Sequence, residues 1–293
     1  MLEELKTFIT VTELQSFTRA AEQLNISQPT VSLHIKRLEE YFDEILIYRS
    51  RQQKKPVITA AGRRLYQQAK KMLSLWKSTY NYVKDDFTHG GSLTIGVTFT
   101  IGEYFLPEFL GEFNKEFPDI KVELEIGNTQ KIGELLNNYK IDAAIVEGNI
   151  IGEKFVKRHL YEDKLVIVAP AGKENDSLEN ERWIIRENGS GTRSQWEQLI
   201  GSGLTELKFK PLVMNSNFAV KEAVRNNLGV ALLSEYIAEE AAKNKEVAIR
   251  RNDIQGKRYF DLVMIKDSAE DNLIDIFSKN ISDFFRRKQE MAK

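Results

Sequence analysis

SFTRAAEQLNISQPTVSLHIKRLEEY, residues 16–41, has the pattern of two short helices joined by a tight turn. Ala20 and Ala21 leave room for a second helix to cross closely. Ser27 is placed to cap the next helix, and Pro29 is tolerated in its first turn because amide donors there have no intrahelical partner. The core-facing side chains of this second helix follow at helical spacing and are Val31, Ile35 and Leu38.

The opposite face of the second helix is left for a ligand. Its side chains combine hydrogen-bonding groups suited to base edges with cations suited to phosphates. The predicted DNA contacts of this helix are Ser27, Gln28, Pro29, Thr30, Ser32, Leu33, His34, Lys36 and Arg37. Taken alone, the two helices fit a helical hairpin with a solvated polar face equally well.

A basic segment follows the two helices. Leu46–Arg49 and Pro56–Ile58 have the pattern of two short strands around a cationic turn, a wing that lies along the DNA backbone. Its predicted phosphate contacts are Arg49, Arg51, Lys54 and Lys55. Residues 1–88 hold 14 Lys and Arg against 10 Asp and Glu, whereas the remainder holds 28 against 33. The positive excess therefore lies with the predicted DNA reader.

Together these segments resemble the LysR-type transcriptional regulators. The shared marks are the paired alanines, S-Q-P-T-V-S with R-L-E after it, and the leucine, arginine and T-A-A-G of the wing. The matching residues are Ala20, Ala21, Leu24, Ser27, Gln28, Pro29, Val31, Ser32, Arg37, Leu38, Glu39, Leu46, Arg49, Thr59, Ala61 and Gly62. Phe42 and Asp43 stand where the family usually has Leu-Gly, and Ile47 replaces its Phe, which should alter the packing of the wing without removing it. The resemblance implies a winged helix-turn-helix over residues 1–58 that binds double-stranded promoter DNA.

A long helix is predicted after the wing, over residues 59–89. One apolar stripe recurs at steps of three and four and comprises Leu65, Ala69, Met72, Trp76, Tyr80, Val83 and Phe87. We expect this linker helix to bury its stripe against a second copy in a two-fold dimer. Burial of the stripe on the chain's own domain is the alternative. Gly90 and Gly91 then mark a hinge.

Composition limits the class of protein. The 293 residues, 42% of them hydrophobic, are enough for two or three domains with cores. No run of 18 apolar residues and no signal-peptide pattern is present, so we expect a cytoplasmic protein without a membrane partner. The absence of cysteine excludes disulfides and thiolate ligands. His34, His89 and His159 lie far apart, so neither a metal site nor a cofactor is expected.

Residues 90–293 change to alternating strands and helices, which favours parallel sheets. The resemblance implies an α/β effector-binding domain of two lobes, like a periplasmic binding protein. The expected boundaries are lobe I at about 92–162 and 267–293, lobe II at about 163–266, and crossings near 161–165 and 264–268. The final helix, about Asp271–Lys288, has an apolar face that should pack on a domain.

Ligands of open parallel sheets bind beyond the carboxyl ends of the strands, where loops and helix N-termini present amides. The segments that follow the predicted strands place hydroxyl, amide and carboxylate groups there. The effector contacts expected from these segments are Thr98, Phe99, Thr100, Ile101, Thr129, Glu147, Ser216 and Asn217.

The loop Glu187–Arg193, ENGSGTR, predicts an anion cradle. Its glycines allow a close backbone approach, its hydroxyls can cap or donate, and Arg193 offers a planar cationic fork. The expected contacts are Ser190, Gly191, Thr192 and Arg193. The alternative is a capped glycine turn with a solvated arginine. G-S-G-T-R also resembles a LysR-type subgroup that includes regulators of sulphur assimilation and carbon fixation, which implies a small anionic effector.

No catalytic residue is predicted, because no nucleophile with its base and no G-x-S-x-G elbow is present. An enzyme fused to a DNA-binding head is therefore disfavoured. A transport receptor would share the sensor fold but lack the DNA reader. We expect a transcriptional regulator that forms a dimer or tetramer and responds to an effector between its lobes. RNA polymerase is a further candidate partner.

Overall fold

The structure is a computed structural model that describes residues 1–48, 55–84, 91–174, 178, 181–201, 209–250, 256–266 and 272–291. The chain divides into two compact units, Met1–Thr88 and His89–Lys293. None of the helices in the described ranges has both the length and the apolar character that crossing a membrane requires.

The N-terminal unit contains the predicted helix-turn-helix. Its elements are α1 (Leu2–Leu14), α2 (Phe17–Leu24), α3 (Gln28–Phe42), β1 (Ile47–Tyr48), β2 (Val57–Ile58) and α4 (Ala60–Lys84). The Ser16 hydroxyl caps α2 by accepting from the Arg19 amide at 3.2 Å. Asn25 ends α2 in the left-handed conformation, with φ 53°. Ser27 caps α3 by accepting from the Thr30 amide at 3.2 Å, as the sequence predicts.

The two wing strands pair despite the departures at positions 42, 43 and 47. They are antiparallel, with Ile47 opposite Ile58 and Tyr48 opposite Val57. The Glu39 carboxylate accepts from the amides of Leu46 and Ile47 at 2.9 and 3.2 Å, which fixes β1 against α3. Asp43 adopts φ 50°, the left-handed conformation that glycine takes most easily, so it ends α3 where the family has Gly. Residues 49–54, which comprise Arg49 of the first predicted strand and most of the predicted turn, lie outside the described residues.

The T-A-A-G segment begins α4 through two close contacts. The Thr59 hydroxyl accepts from the Gly62 amide at 2.9 Å and donates to the Ile45 carbonyl at 2.7 Å. A Cβ at Gly62 would lie 2.3 Å from the Leu46 carbonyl oxygen, so only glycine fits there. The motif therefore ties the start of α4 to the wing.

The predicted apolar stripe of α4 divides into two parts. Ala69 is fully buried in the core of the N-terminal unit, and Leu65 packs against that core. Further along, Met72, Trp76 and Tyr80 are 49%, 54% and 51% exposed. Own-domain burial thus accounts for the first part of the stripe, and the second part lies on the surface of the described chain. The Val83 side chain and Phe87 lie outside the described residues.

The C-terminal unit is a mixed α/β structure. Its strands are β3 (Ser92–Thr98), β4 (Lys121–Gly127), β5 (Ala143–Glu147), β6 (Phe155–Pro170), β7 (Trp183–Arg186), β8 (Leu212–Met214), β9 (Val230–Ser234), β10 (Val247–Arg250) and β11 (Gly256–Ile265). Its helices are α5 (Phe99–Tyr104), α6 (Leu106–Glu116), α7 (Thr129–Asn137), α8 (Gly191–Trp196), α9 (Asn217–Arg225), α10 (Glu235–Lys243) and α11 (Asn272–Met291). Among the described strands the order is β4-β3-β5-β11-β6-β9-β7-β8, with β10 also on β6. Strands β3 to β5 form one parallel block and β7 to β9 another.

Strands β6 and β11 connect the two blocks, which are the two lobes. β6 pairs with β11 from Phe155 to Leu165 and with β9 from Leu165 onward, so the first crossing lies near Leu165. β11 begins beside Leu165 at Gly256, but Phe260–Met264 already pair with β5 of lobe I. The second crossing therefore falls between Gly256 and Phe260. The expected crossing at 264–268 is wrong because β11 runs on through lobe I.

Lobe I has an aromatic core to which the last helix contributes. Phe105 separates α5 from α6, and Pro107 occupies the first turn of α6, where an amide is not needed. The buried aromatic side chains are Phe105, Phe109, Phe113, Tyr161, Phe260, Phe277, Phe284 and Phe285. Three of them belong to α11, which confirms that the final helix packs on a domain.

Candidate DNA-binding surface and interlobe site

Helix α3 buries one side and exposes another. Val31, Ile35 and Leu38 are fully buried. At about 100° per residue, a second set of side chains shares the side away from this core. This outer side of α3 consists of Gln28, Pro29, Ser32, Leu33 and Lys36, of which all but the half-buried Ser32 are exposed. An outward row of amide, hydroxyl and ammonium groups has the shape and chemistry of a major-groove reader.

His34 lies on the side of α3 that faces α1, where it is half buried. Its Nδ1 is 2.8 Å from the Thr7 hydroxyl, which also lies 2.8 Å from the Glu3 carbonyl oxygen. The Thr7 hydroxyl has one proton, so it either donates to Glu3 and accepts from Nδ1 or donates to Nδ1, according to the tautomer of His34. In both arrangements this predicted DNA contact is held by α1.

Four other predicted DNA contacts have partners within the N-terminal unit. Lys36 lies 3.3 Å from the exposed Glu40 carboxylate one helical turn on. The Arg37 guanidinium lies 3.5 Å from the Glu4 carboxylate on α1, although its side chain is 57% exposed. The hydroxyls of Ser27 and Thr30 lie 2.7 Å apart at the start of α3. Lys55 is exposed beside the wing. The remaining wing residues, Arg49, Arg51 and Lys54, lie outside the described residues.

The carboxyl ends of β3 and β5 meet in lobe I around one buried carboxylate. Thr98 and Thr100 donate to the two oxygens of Glu147 at 2.7 and 2.8 Å. Thr129 donates to the Glu147 carbonyl at 2.6 Å. All four side chains are less than 10% exposed. These four predicted residues therefore form one buried polar group.

Side chains of lobe II complete this group across the seam. Asn217 donates to the Thr100 hydroxyl at 2.7 Å, and its carbonyl oxygen accepts from Arg186 at 2.7 Å. The backbone amide of Gln130 donates to the Gly189 carbonyl at 3.1 Å. The two lobes are thus joined by direct hydrogen bonds, and Asn217 connects a hydroxyl of one lobe with a guanidinium of the other.

Arg258, which sequence reasoning missed, contacts both lobes from the second crossing. Its Nε donates to Asp163 at 2.7 Å and its Nη1 to Thr192 at 2.8 Å, while Nη2 lies 3.3 Å from the Thr100 hydroxyl. Ser234 donates to the other oxygen of Asp163 at 2.7 Å. Burial raises the pKa of Asp163 above its usual range, and the charge of Arg258 opposes this shift.

Arg186 is the second buried cation that sequence reasoning missed. It is 3% exposed, its Nε donates to Glu187 at 2.8 Å, and its guanidinium lies 4.9 Å from the Phe99 ring centroid. Both arginines had a signal in the sequence. Arg186 stands at the carboxyl end of the apolar run WIIR, and Arg258 occupies an inward position in the alternation of β11.

We call the buried polar side chains at the seam between the lobes the interlobe cluster. Its members are Thr98, Thr100, Thr129, Glu147, Asp163, Arg186, Ser190, Thr192, Asn217 and Arg258, all less than 10% exposed. All of them except Asp163, Arg186 and Arg258 were predicted as effector contacts, either from strand ends or from the G-S-G-T-R loop. In the described part of the chain, no three His, Asp or Glu side chains come close enough together to hold a metal ion.

The G-S-G-T-R loop lies against lobe I. A Cβ at Gly191 would lie 2.3 Å from the Glu147 carbonyl oxygen, so this glycine permits the close approach of the two lobes. Arg193 is already paired, because its Nε donates to Glu197 at 2.6 Å one helical turn on. The loop therefore gives buried hydroxyls to the seam, while its arginine lies at the rim with a partner.

Two predicted contacts have other roles in the structure. Ile101 is fully buried in the hydrophobic core of lobe I, so it does not belong to the polar group. The Ser216 hydroxyl accepts from the Ala219 amide at 3.0 Å and caps α9, which places Asn217 in the first turn.

Two family descriptions match the chain. Residues 2–63 match the bacterial regulatory helix-turn-helix protein, lysR family, and residues 88–283 match the LysR substrate binding domain. The chain is 38% identical over 260 residues to the HTH-type transcriptional regulator CysL of Bacillus subtilis (strain 168), covering 84% of each chain. It is 32% identical over 264 residues to the HTH-type transcriptional activator CmpR of Synechocystis sp., covering 87% of this chain and 85% of that one.

Solved structures share the fold. Full-length OxyR from Pseudomonas aeruginosa superposes with a TM-score of 0.69 at 20% identity, covering 98% of this chain and 94% of that one. The CcmR regulatory domain of Synechocystis, solved in complex with 2-PG, gives a TM-score of 0.59 at 26% identity over 66% of this chain and 96% of that one. With the helix-turn-helix, the two-lobed domain and both family matches in place, the chain belongs to the LysR family of bacterial helix-turn-helix transcriptional regulators.

Proposed function

We propose that this regulator responds to a small anionic metabolite that binds between its lobes at the interlobe cluster. The observation that carries the proposal is the burial of two guanidinium groups, Arg186 and Arg258, at the seam where threonine hydroxyls from both lobes converge. Buried cations are costly unless anions and hydrogen bonds satisfy them. Guanidinium forks with nearby hydroxyls are also the groups that recognise carboxylates, sulfur oxyanions and phosphates.

An internal carboxylate already holds the position that such a ligand would contact. Glu147 accepts from Thr98 and Thr100 and lies 3.7 Å from the Arg258 guanidinium. An anion that enters the seam competes with Glu147 for the same donors. Binding therefore changes the hydrogen bonds of Thr100, which also contacts Asn217 of the other lobe. This gives the ligand a direct effect on how the lobes meet.

One similar protein supports an anionic effector. The CcmR regulatory domain was solved with 2-PG, a small anion. Arg193, which pairs with Glu197, is proposed as a further contact at the rim of the seam.

The outer side of α3 is proposed to read promoter DNA in the major groove, with the wing on the adjacent phosphates. Gln28 and Ser32 supply hydrogen bonds to base edges, Leu33 supplies an apolar contact, and Lys36 supplies a cation. Lys55 is proposed to contact a phosphate, and Arg49, Arg51 and Lys54 are assigned the same role from the sequence.

The second part of the α4 stripe is proposed to form the dimer contact. Met72, Leu75, Trp76 and Tyr80 are each about half exposed or more on this one helix. Large apolar side chains clustered in this way mark an association surface. A two-fold dimer through α4 would place two α3 helices on two half-sites.

Thermal unfolding with a panel of anions tests the effector proposal. The panel contains sulfate, phosphate and small phosphorylated and carboxylated metabolites at constant ionic strength. We expect one anion to raise the Tm, because a ligand that binds only the folded state stabilises it. Thr98→Val should lose this rise, whereas Thr94→Val, four residues earlier on β3, should keep it. A panel without any effect, or a rise that Thr98→Val leaves intact, would contradict the proposal.

A gel-shift titration tests the DNA proposal with the region upstream of the gene for this protein. We expect the protein to bind this DNA more tightly than random competitor DNA at physiological salt. Equal affinity for both would contradict sequence-specific reading.

A further inference from the structure

Three polar side chains join α1 to the first half of α4 within the N-terminal unit. Lys70 Nζ lies 3.0 Å from a Glu13 carboxylate oxygen, and the Tyr66 hydroxyl donates to the same oxygen at 3.1 Å. The Lys70 ammonium also lies 4.2 Å from the centroid of the Tyr66 ring. Lys70 is only 6% exposed, and the Glu13 side chain is 32% exposed. We call Glu13, Tyr66 and Lys70 the α1–α4 cluster.

Packing α4 through the α1–α4 cluster carries a desolvation cost that apolar packing would avoid. Burying an ammonium removes its hydration, and apolar side chains of similar volume often replace a buried ion pair without loss of stability. The same part of α4 already buries Ala69, with Leu65 and Leu73 packed against the core. The cluster is therefore not needed to cover apolar surface.

The cluster instead fixes the orientation of α4 relative to α1. Apolar contacts tolerate small rotations and slides of a helix, whereas an ion pair with a shared hydrogen bond fixes two side chains at defined distances. The bonds also hold α4 at one point beyond its attachment to the wing at Thr59. Because the contacts at Thr59 and at the α1–α4 cluster are separated along α4, together they fix the angle of the helix, whereas either one alone would not.

A small change of this angle has a large effect at the far end of α4. Helix α4 continues 14 residues past Lys70 to Lys84, which at 1.5 Å per residue is about 21 Å. A tilt of about 10° at Lys70 moves that end by about 4 Å, close to the 3.4 Å step of one base pair.

We propose that the α1–α4 cluster sets the direction in which α4 leaves the DNA-binding unit, and thereby the spacing between the two half-sites that a dimer reads. Glu13, Tyr66 and Lys70 are then positioning residues for operator geometry. They act through α4 and touch no base. The inference rests on the proposed function, since it requires a dimer joined through α4.

Selection from a random DNA library tests the proposal with the full-length chain. The wild-type protein should enrich paired half-sites at one spacing. The double variant Glu13→Leu with Lys70→Met replaces the ion pair by apolar packing and should enrich several spacings. In gel shifts its preference for the wild-type spacing over a spacing changed by one base pair should fall about tenfold. Its affinity for an isolated half-site should stay within about twofold, because α3 is unchanged.

Two further variants keep the result interpretable. Lys71→Met changes the exposed neighbouring lysine and should retain the wild-type spacing. Tyr66→Phe removes only the hydroxyl and should also widen the range of enriched spacings, by a smaller amount. If the double variant does not fold, this variant tests the proposal. An unchanged spacing in folded variants overturns this inference alone. A wild-type protein that is monomeric or enriches no paired half-sites overturns the proposed function as well.

Discussion

The outer side of α3 and the interlobe cluster both present polar side chains, but they are built in opposite ways. The outer side of α3 comes from nine consecutive residues of one helix and lies on the surface, above a separate apolar face. The interlobe cluster draws side chains from positions 98 to 258, and every member is buried. The proposed recognition and the stability are therefore separable on α3, whereas in the interlobe cluster the same side chains serve both.

This difference follows from where the hydrogen bonds of each group go. On α3, water can solvate every outward side chain, so changing one of them leaves no unsatisfied partner. In the interlobe cluster, polar groups bond to one another, as the Thr100 hydroxyl does when it donates to Glu147 and accepts from Asn217 and Arg258. Removing one member leaves the others buried without a partner, which costs more than the lost bond itself.

The largest expected effect is the loss of Arg258. Arg258→Met leaves the Asp163 carboxylate buried without its cation and should lower the free energy of unfolding of the C-terminal unit by about 3–5 kcal/mol. Denaturant unfolding followed by the fluorescence of Trp183 and Trp196, both buried in lobe II, measures this. The control Lys257→Met removes the neighbouring, 67% exposed lysine, whose solvent-screened pair with Glu162 should contribute far less. Equal losses for both variants would show that burial of the pair does not matter.

Breaking the bridge between the lobes should cost less. Asn217→Ala removes the donor to Thr100 and the acceptor of Arg186, and we expect a loss of about 1–3 kcal/mol. The same variant should move the lobes apart, since Asn217 bonds to a residue of each. Small-angle scattering and denaturant unfolding measure the two effects. Asn244→Ala, on an exposed turn after α10, is the control and should change neither; an equal response from it would contradict a bridging role.

Sequence periodicity predicts elements whose parts are local. The helix-turn-helix, the capping role of Ser27 and the buried face at Val31, Ile35 and Leu38 all depend on neighbouring residues. The wing strands and the apolar face of α11 were predicted for the same reason. Each of these is a pattern of spacing along one segment, which a single sequence displays directly.

The interlobe cluster was predicted only in part because its partners are far apart in sequence. Thr98, Glu147 and Asn217 follow strand ends and could be proposed from that position alone. Arg258 lies within a strand and reaches the group only because β11 crosses from lobe II to lobe I earlier than expected. Its inward position next to apolar Phe260 was a visible signal, whereas its pairing with Asp163 required the sheet register.

Acid should weaken the interlobe seam through Glu187. Although burial opposes it, the hydrogen bond and charge of Arg186 hold the pKa of Glu187 below its usual range, and Asn128 of lobe I donates to it at 3.1 Å. A carboxyl group with a lowered folded-state pKa stabilises the protein above its unfolded pKa, and this contribution is lost as the pH falls through the folded value. We expect Tm to fall on acidification, with a smaller fall in Glu187→Gln. Identical pH profiles in thermal unfolding would contradict this role.

The smallest effect on stability is expected on α3. A comparison of the adjacent cations Lys36 and Arg37 there tests which side of the helix faces DNA. Lys36→Met, on the outer side, should change the free energy of unfolding by less than about 0.5 kcal/mol. The same change should reduce the salt dependence of DNA binding by about one unit of slope if Lys36 contacts a phosphate. Arg37→Met should reduce it less, because Arg37 lies 3.5 Å from the largely buried Glu4 on the side facing α1, whereas the pair of Lys36 with Glu40, at 3.3 Å, is exposed on both sides and can be exchanged for a phosphate. DNA titrations at several salt concentrations measure both slopes, and a larger change for Arg37 would reverse the assignment of the DNA-facing side of α3.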